Sequence, residues 1–357
     1  MNKLIEHKAA DWNPHIVILD PHGEYANAIP RAKLLDPTTP GALRLPAWLC
    51  EAGKLFEFIH PKSTSQATKQ WTAFKENLLS LKQDWAEAHE RDKEEVSIDS
   101  PIPFSLQDLS DKITHKDFND VKDSIDRCLR DRRMHFMTRP EQDNPDESVD
   151  IIRQFVSKDH SASIINLSSV PSEAEGVTVW MLLSLLFEYK VRQSIENRHK
   201  DPILVICEEA HRYVPKFGNT LSESARSSVA RIAKEGRKYG IGMVVVSQRP
   251  SEIESTVLSQ CSTWVVMRLT NPDDQSTVKS FMPDGVKGLV DALPGLGPQE
   301  AILAGYATNI PSRIRINDLP EEQRPASNDP PFTEGWSSEP PSDEQIVEVF
   351  NKWRYNS

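Results

Sequence analysis

The sequence predicts an α/β fold, with a mainly parallel sheet and helices on both of its faces. Apolar runs of strand length alternate along the chain with segments of helical periodicity, an order that is typical of parallel sheets. The run Ile203–Cys207 is apolar throughout, as a strand that is buried on both faces requires. Acids follow this run and the run Ile16–Leu19, and open α/β sheets bind ligands at the carboxyl ends of their strands.

The composition fits a globular protein with one large domain and additions, or with two domains. With 357 residues, of which 38% are hydrophobic, the chain can bury a sizeable core. No apolar run is long enough to span a membrane and the first residues lack a signal-peptide core, so we expect a cytoplasmic protein without membrane contact. The four cysteines form no CxxC pair, which argues against a zinc site. The net charge of −11 restricts any DNA contact to a local surface.

Residues 1–46 are predicted to form the first part of the sheet domain. The strand Ile16–Asp20 ends at a turn, because residues 21–23 contain a proline and a glycine. A second short strand is expected near Leu34.

Residues 47–158 are predicted to form a helical insertion that interrupts the sheet. From residue 47 to about residue 93, apolar side chains recur at mostly three- and four-residue steps. They form one face, which comprises Trp71, Phe74, Leu78, Leu79, Leu81 and Trp85. Residues 104–136 are predicted to hold one or two further helices, and residues 140–147 a polar loop. The basic stretch 127–133 could line a DNA channel, but we interpret it as a surface helix.

Residues 159–317 are predicted to complete the sheet domain. Long helices are expected from Ser172 onward and over Ser222–Tyr239. Besides Ile203–Cys207, strands are expected at Ser163–Leu167, at Met243–Gln248 as a buried strand, at Thr263–Arg268, and in a closing pair formed by Ala301–Gly305 and Arg313–Ile316.

Residues 318–357 are predicted to form an acidic, proline-rich linker and a short C-terminal helix. Ile346, Val349, Phe350 and Trp353 form a small apolar face on that helix. Because so small a face is marginal by itself, we expect the helix to dock, on the chain's own core in preference to a neighbouring subunit.

Polar residues stand at the ends of several predicted strands: Asp20, Asn166, Glu208, Glu209 and Gln248. If these strands are parallel neighbours, their ends gather along one edge of the sheet. One acid there can hold Mg²⁺ through water, and its neighbour can polarise an attacking water. This arrangement is typical of P-loop nucleotide hydrolases, although one apolar run followed by two acids is only moderately specific.

The order of four motifs is more specific. They are Asp-Pro-His-Gly-Glu-Tyr at 20–25, Cys-Glu-Glu-Ala-His-Arg-Tyr-Val-Pro at 207–215, Lys-Glu-Gly-Arg-Lys-Tyr-Gly at 234–240 and Ser-Gln-Arg-Pro-Ser-Glu at 247–252. Together they resemble the HerA family of hexameric DNA-translocating ATPases, which is allied to FtsK. The resemblance covers most of residues 16–317 outside the insertion, and it implies a RecA-like P-loop NTPase core that uses ATP and Mg²⁺.

The resemblance also implies roles for individual residues. It makes Glu208 the acid that binds Mg²⁺ through water and Glu209 the catalytic residue that activates water. Asp20 would lie near the metal and phosphates, as part of the cofactor site. Gln248 would sense the γ-phosphate, and Arg237 would be an arginine finger that reaches the site of the next subunit. Other arginines compete for the last role: Arg226, Arg231 and Arg249.

Plainer interpretations of three of these residues remain open. Asp20 precedes a Pro-His-Gly sequence and can be only a turn former. His211 is interpreted as a structural hydrogen-bonding residue, since no second metal ligand has a suitable spacing. Arg237 and its basic neighbours can form a solvated helix face.

One part of the family pattern is missing from the 357 residues. They contain no GxxxxGK[ST] motif, which supplies the lysine and the amide cradle for the phosphates. We therefore expect the C-terminal part of an ATPase core whose P-loop precedes this sequence. Intact relatives are expected to form hexameric rings around double-stranded DNA and to work with a nuclease. The alternative is a non-catalytic module that assembles with a P-loop-bearing partner or a nuclease.

Overall fold

The computed structural model describes residues 13–29, 31–37, 39, 42–60, 67–138, 147–168, 170, 172–217, 220–282, 286–325 and 332–355. The polar loop predicted at residues 140–147 lies outside these residues, except for its last residue. The strands are β1 (His15–Asp20), β2 (Lys33–Leu35), β3 (Ala162–Asn166), β4 (Ile203–Cys207), β5 (Ile241–Val245), β6 (Thr263–Val266), β7 (Glu300–Gly305) and β8 (Ser312–Arg315).

The first five strands form one parallel sheet in the order β2-β3-β1-β4-β5. β1 lies at the centre, and all six of its residues are buried. Its continuous apolar run is therefore explained, because neither face of the strand meets water. The predicted α/β fold with a mainly parallel sheet is confirmed.

The α-helices of the described residues begin in the insertion and continue to the C-terminus. They are α1 (Ala52–Ile59), α2 (Ala67–Ala88), α3 (Leu106–Lys112), α4 (Asn119–Arg130), α5 (His135–Thr138), α6 (Glu147–Arg153), α7 (Ser172–Arg192), α8 (Ile195–Arg198), α9 (Thr220–Tyr239), α10 (Ser255–Ser259), α11 (Pro272–Phe281), α12 (Lys287–Val290), α13 (Phe332–Trp336) and α14 (Asp343–Tyr355). No helix among the described residues is both long and apolar enough to cross a membrane.

One large apolar core joins the sheet to the helices. Val17 and Val205 from the sheet pack in the same cluster as Leu183 of α7 and Val229 of α9. Phe74 of α2 belongs to this cluster as well, so the insertion shares the core of the sheet domain. The opposite face of the sheet carries a smaller cluster. The structure thus keeps the carboxyl ends of the strands at one fixed edge.

β5 is an edge strand and not the buried strand that its apolar sequence predicts. Among the described residues it pairs with β4 alone. Val244 and Val246 are 40% and 37% exposed, respectively. The prediction of burial was wrong because an apolar run reveals what a strand could bury, whereas its neighbours decide what is covered.

The last three strands form a separate antiparallel sheet in the order β6-β7-β8. Its pairing of β7 with β8 confirms the predicted closing strand pair. A second, smaller apolar cluster lies beneath this sheet and includes Val278 of α11 and Val290 of α12. Val265 of β6 is 55% exposed, so this sheet also presents an apolar edge strand.

The apolar face of the C-terminal helix α14 is exposed. Phe350 is 43% exposed and Trp353 is 75% exposed, and the side chains of Ile346 and Val349 are exposed as well. The expected docking on the chain's own core is therefore wrong for this structure. The apolar periodicity correctly predicts a helix, but it does not reveal which surface, if any, the apolar face packs against.

Candidate functional site

Parallel pairing brings the polar strand ends together at one edge of the sheet. Asp20 lies opposite Asn166 in the β1–β3 pair, and Cys207, which precedes the two glutamates, lies opposite Leu19. On the other side of β4, Cys207 lies opposite Val245. The predicted gathering of these residues along one edge is confirmed.

Glu208 and Glu209 point to opposite neighbours of β4. Glu208 Oε1 accepts a hydrogen bond from the hydroxyl of Tyr25, which follows β1. Glu209 Oε1 accepts a hydrogen bond of 2.8 Å from Gln248 Nε2, which follows β5. The backbone explains this divergence, because Glu209 has left-handed φ and ψ angles of 44° and 46° at the start of a tight turn. Such a conformation costs an ordinary residue about 1 kcal/mol or more, and strain of this kind clusters at functional sites.

His211 lies beside the second glutamate. Its Nδ1 atom is 3.1 Å from Glu209 Oε2 and 3.1 Å from Ser247 Oγ. Ser247 Oγ in turn accepts the backbone N–H of Arg249 at 3.0 Å. Glu209 thus lies between His211 and the segment Ser247–Gln248 that follows β5. This geometry agrees with a structural hydrogen-bonding role for His211.

Glu208 is held by two tyrosines. Besides the hydroxyl of Tyr25 on its carboxylate, the hydroxyl of Tyr213 donates to its backbone oxygen at 2.6 Å. Burial raises the pKa of Glu208, and repulsion from Glu209 and Asp20 adds to this effect, whereas the Tyr25 hydrogen bond lowers it. Burial and the bond to Glu208 also raise the pKa of Tyr25, so its hydroxyl stays protonated and donates.

Both carboxylate oxygens of Asp20 accept hydrogen bonds from backbone N–H groups of the loop that follows it. Its Oδ1 accepts the backbone N–H groups of Gly23 at 2.9 Å and His22 at 3.3 Å, and its Oδ2 accepts that of Tyr25 at 3.0 Å. Gly23 takes a φ of +72°, and a Cβ there would come within 3.2 Å of Ser168 Oγ. Asp20 therefore forms the turn that the plainer interpretation describes, and its role near a metal stays a prediction.

A second set of contacts fixes this loop from outside. Arg212 donates to Glu175 Oε2 at 2.9 Å and to the backbone oxygen of Pro21 at 3.4 Å, so it joins α7 to the turn after β1. Next to this loop, Asn166 at the end of β3 donates through Nδ2 to Asp36 Oδ2 at 3.0 Å.

Sequence reasoning missed Tyr25, Tyr213 and Arg212, although all three belong to the quoted motifs. Only the spatial meeting of residues far apart in the chain reveals their roles.

Arg237 lies at the opposite end of the sheet from the two glutamates. It precedes β5 and borders a cleft of about 520 Å³ together with Lys200 and Pro202. β5 has five residues, so about 16 Å of strand separates this end from the segment that contains Gln248. Within the chain, the structure therefore does not bring Arg237 to Glu209.

The rival arginines are engaged by partners. Arg231 pairs with Glu188 at 2.9 Å and lies over the ring of Phe187. Arg226 lies 3.5 Å from Glu223, and Arg249 donates to Glu252 at 2.9 Å.

The donors at this edge suit Mg²⁺ held through water better than a direct metal centre. In the part of the chain that the structure describes, no group of three or more His, Cys, Asp or Glu side chains is arranged to hold a metal ion. Mg²⁺ keeps several waters and needs only one or two carboxylates, so Glu208 is a suitable residue to hold it. The 357 residues contain no GxxxxGK[ST] motif, which would supply a phosphate cradle of backbone amides.

Comparison with known families decides the relationship. Residues 1–186, more than half of the chain, match the family model described as "Helicase HerA, central domain". The chain belongs to the HerA family. The predicted resemblance to the HerA family is thereby confirmed.

Individual HerA relatives are similar over part of their length. The chain is 30% identical over 191 residues to the DNA double-strand break repair helicase HerA of Sulfurisphaera tokodaii, a match that covers 53% of this chain and 38% of the relative. It is 42% identical over 120 residues to the protein of the same name from Pyrococcus furiosus, covering 34% and 21%, respectively. The matches thus span less than half of the length of these curated relatives.

Solved structures share the fold. VirB4 of Thermoanaerobacter pseudethanolicus gives a TM-score of 0.61 at 14% identity, over 87% of this chain and 83% of that chain. The bacterial conjugative coupling protein TrwBΔN70 gives 0.51 at 12% identity, over 87% and 81%. At these identities the likeness concerns the fold alone, and it agrees with a RecA-like α/β core for this HerA-family chain.

Proposed function

We propose that this chain supplies the metal-holding and water-activating half of an ATP hydrolysis site in a HerA-type DNA-translocating ring. The observation that carries the proposal is the contact between Glu209 and Gln248. A carboxylate and an amide that meet at 2.8 Å at the ends of adjacent strands can together orient one water molecule. The left-handed backbone at Glu209 supports the same role, because the strained turn aims this carboxylate away from Glu208.

Each residue has a distinct task in this proposal. Glu209 accepts a proton from the attacking water, Gln248 holds the water and the γ-phosphate side, and Glu208 holds a water of Mg²⁺. When bound, Mg²⁺ supplies charge neutralisation at the phosphate oxygens. Asp20 keeps the turn after β1 in place next to Glu208.

Arg237 acts in trans in this proposal. It is exposed and lies at the far end of β5, and its guanidinium has no hydrogen bond or ion pair to the described residues, whereas Arg226, Arg231 and Arg249 all have carboxylate partners. A guanidinium that is free to enter a neighbouring subunit's site can stabilise charge on the transferred phosphoryl group. The hexameric ring, double-stranded DNA, a nuclease partner and a cytoplasmic location are part of the same proposal. Support for the DNA substrate comes from relatives that are named as DNA repair helicases.

The phosphate-holding half is proposed to enter beside β5. A parallel strand added to the free edge of β5 would end next to Gln248, and the turn after that strand would face the glutamates. Val244 on β5 and Val246 just after it are exposed apolar side chains that such a strand could cover. Val265 and Met267, on and just after β6, are exposed as well.

The second candidate function uses the same edge without catalysis. An apolar edge strand is a ready template for strand pairing, so the chain can be an assembly module that accepts a P-loop-bearing partner. Native mass measurement separates the two functions. Stable hetero-assembly that is independent of nucleotide and tolerates Glu209→Gln favours the module.

ATP hydrolysis tests the proposal in two steps. The purified chain alone is expected to show little phosphate release, since the described residues hold no phosphate cradle. Robust turnover by the isolated chain that Glu209→Gln abolishes would overturn this point. In an assembly with a P-loop-bearing chain, Glu209→Gln should lower kcat by roughly 10² to 10⁴ with little change in KM. Glu235→Gln, on the exposed surface of α9, is the matched control and should leave kcat unchanged. Equal turnover by the Glu209 variant and this control would remove Glu209 from the reaction.

A further inference from the structure

Tyr25 contacts both Asp20 and Glu208, of which Glu208 is the acid that the proposed function assigns to Mg²⁺. Its backbone N–H donates to Asp20 Oδ2 at 3.0 Å, and its hydroxyl donates to Glu208 Oε1. Asp20 ends β1 and Glu208 follows β4, and these two strands are direct neighbours in the sheet. We propose that Tyr25 is a positioning residue that fixes the carboxylates of Asp20 and Glu208 relative to each other.

The rest of Tyr25 is also held, which makes it a rigid link. Its backbone oxygen accepts the N–H groups of Ala28 at 3.1 Å and Ile29 at 3.2 Å. Its ring packs against the smaller apolar cluster on the sheet, to which Ile16 and Ile18 belong. A residue whose amide, carbonyl, ring and hydroxyl are all engaged delivers its hydroxyl to one defined place.

The loop that carries Tyr25 is itself built for this task. Asp20 accepts three backbone N–H groups from it, and Gly23 supplies the left-handed conformation that the turn needs. The turn therefore connects the carboxylate at the end of β1 with a hydroxyl that reaches the end of β4. The hydrogen bonds of Asp20 hold this turn, so neither a helix nor a strand is needed between Asp20 and Tyr25.

The hydroxyl restricts Glu208 in a way that its own backbone cannot. A carboxylate that is largely removed from water needs a donor, and an O–H donor to an ionised oxygen forms a strong hydrogen bond. Partners of ligating carboxylates orient them for the metal. The metal role rests on the proposed function, whereas the link between Asp20 and Glu208 stands on the geometry alone.

Tyr25→Phe tests the link, because it removes the hydroxyl and keeps the ring. Amide hydrogen exchange of residues 22–25, measured by mass spectrometry, should accelerate about tenfold when the hydroxyl bond is lost. Tyr213→Phe is the matched control, since it removes a hydroxyl that donates to the backbone oxygen of the same Glu208. It should leave exchange at residues 22–25 near the native rate. Unchanged exchange in Tyr25→Phe would overturn the proposal.

A second variant keeps the test decisive if Tyr25→Phe fails to fold. Glu208→Ala removes the acceptor and should accelerate exchange at residues 22–25 to the same extent, and native exchange in this variant would also overturn the link. Binding of MnCl₂, followed by electron paramagnetic resonance, adds a readout for the metal. We expect Mn²⁺ binding to weaken about tenfold in Tyr25→Phe. Mn²⁺ binding that Glu208→Ala leaves intact would refute the metal role in the proposed function, and the exchange result would still decide the link.

Discussion

A buried lysine in the insertion gives a stability test whose sign and size follow from the structure. Lys82 of α2 is fully buried, and its Nζ donates to the backbone oxygens of Ile98 at 2.6 Å and Ser100 at 2.7 Å. Burial lowers the pKa of Lys82 from 10.5 to about 8, although the nearby Asp99 opposes this effect. The neutral amine still has two N–H donors for the two carbonyls.

This pKa difference makes the free energy of unfolding rise with pH. Below pH 8 both the folded and the unfolded chain carry the proton on Lys82, so this group adds no pH dependence. Between about pH 8 and 10.5 only the unfolded chain keeps the proton, and stability rises as pH rises. One pKa unit corresponds to about 1.4 kcal/mol, so the full rise is about 3 kcal/mol.

Lys82→Met removes this rise. The variant leaves two carbonyls without a donor, at about 1 to 3 kcal/mol each, but it also removes a buried charge. Near pH 7 the two effects oppose each other, and by pH 10 the wild type should gain about 3 kcal/mol over the variant. Urea unfolding at pH 7, 8, 9 and 10, followed by circular dichroism, measures this difference. Lys82→Arg keeps a charge that does not titrate in this range, so it should lack the rise too. A difference between wild type and Lys82→Met that stays constant from pH 8 to pH 10 would refute the reasoning.

Three further predictions concern other parts of the fold. Gly305→Ala should lower the free energy of unfolding, measured with urea, by about 3 kcal/mol or more, because residue 305 has a φ of +96° and a Cβ there would overlap a backbone oxygen. Gly288→Ala is the control and should change this free energy little, because open space surrounds residue 288. Asp201→Asn should destabilise the chain by about 3 kcal/mol in the same assay, since it leaves the fully buried Lys190 without its carboxylate, and a loss below about 1 kcal/mol would contradict this. Burial lowers the pKa of His15 from 6.5, so the unfolded chain takes up a proton first as pH falls. Stability should therefore drop as pH falls below 6.5, and a drop of the same size in His15→Gln would assign it to other groups.

The sequence was sufficient to predict the positions of the central strands of the sheet. β1, β3 and β4 coincide with apolar runs of the right length, and the acid that ends β1 and those that follow β4 do lie at one edge. Three α-helices begin within residues 104–136, where one or two are predicted, because 3₁₀ turns at Lys116–Phe118 and Arg132–Met134 divide the segment. The order of polar strand ends was enough to anticipate that Glu209 and Gln248 would lie close together.

Other features depend on partners that the sequence does not reveal. Lys82 follows an apolar helix position, yet it is buried, and two backbone carbonyls 16 and 18 residues later accept hydrogen bonds from its Nζ. The exposure of β5 is decided by what lies beside it and not by its valines. The hydroxyl of Tyr25 meets Glu208 across 183 positions of sequence, and only the pairing of β1 with β4 brings the two together. Contacts of this kind come from tertiary structure, and no local pattern encodes them.

The central place of β1 also sets the order in which a nascent chain can fold. Its two sheet neighbours, β3 and β4, follow it by about 140 and about 180 residues. A ribosome adds roughly 5 to 20 residues per second, so roughly 7 to 30 seconds pass between the synthesis of β1 and that of its first neighbour, and more before its second. During this time the helices between β1 and β3 are the part that can form from local contacts. Because these helices share one apolar core with the sheet, weakening them should reduce the yield of folded protein before it changes any chemistry at the glutamates.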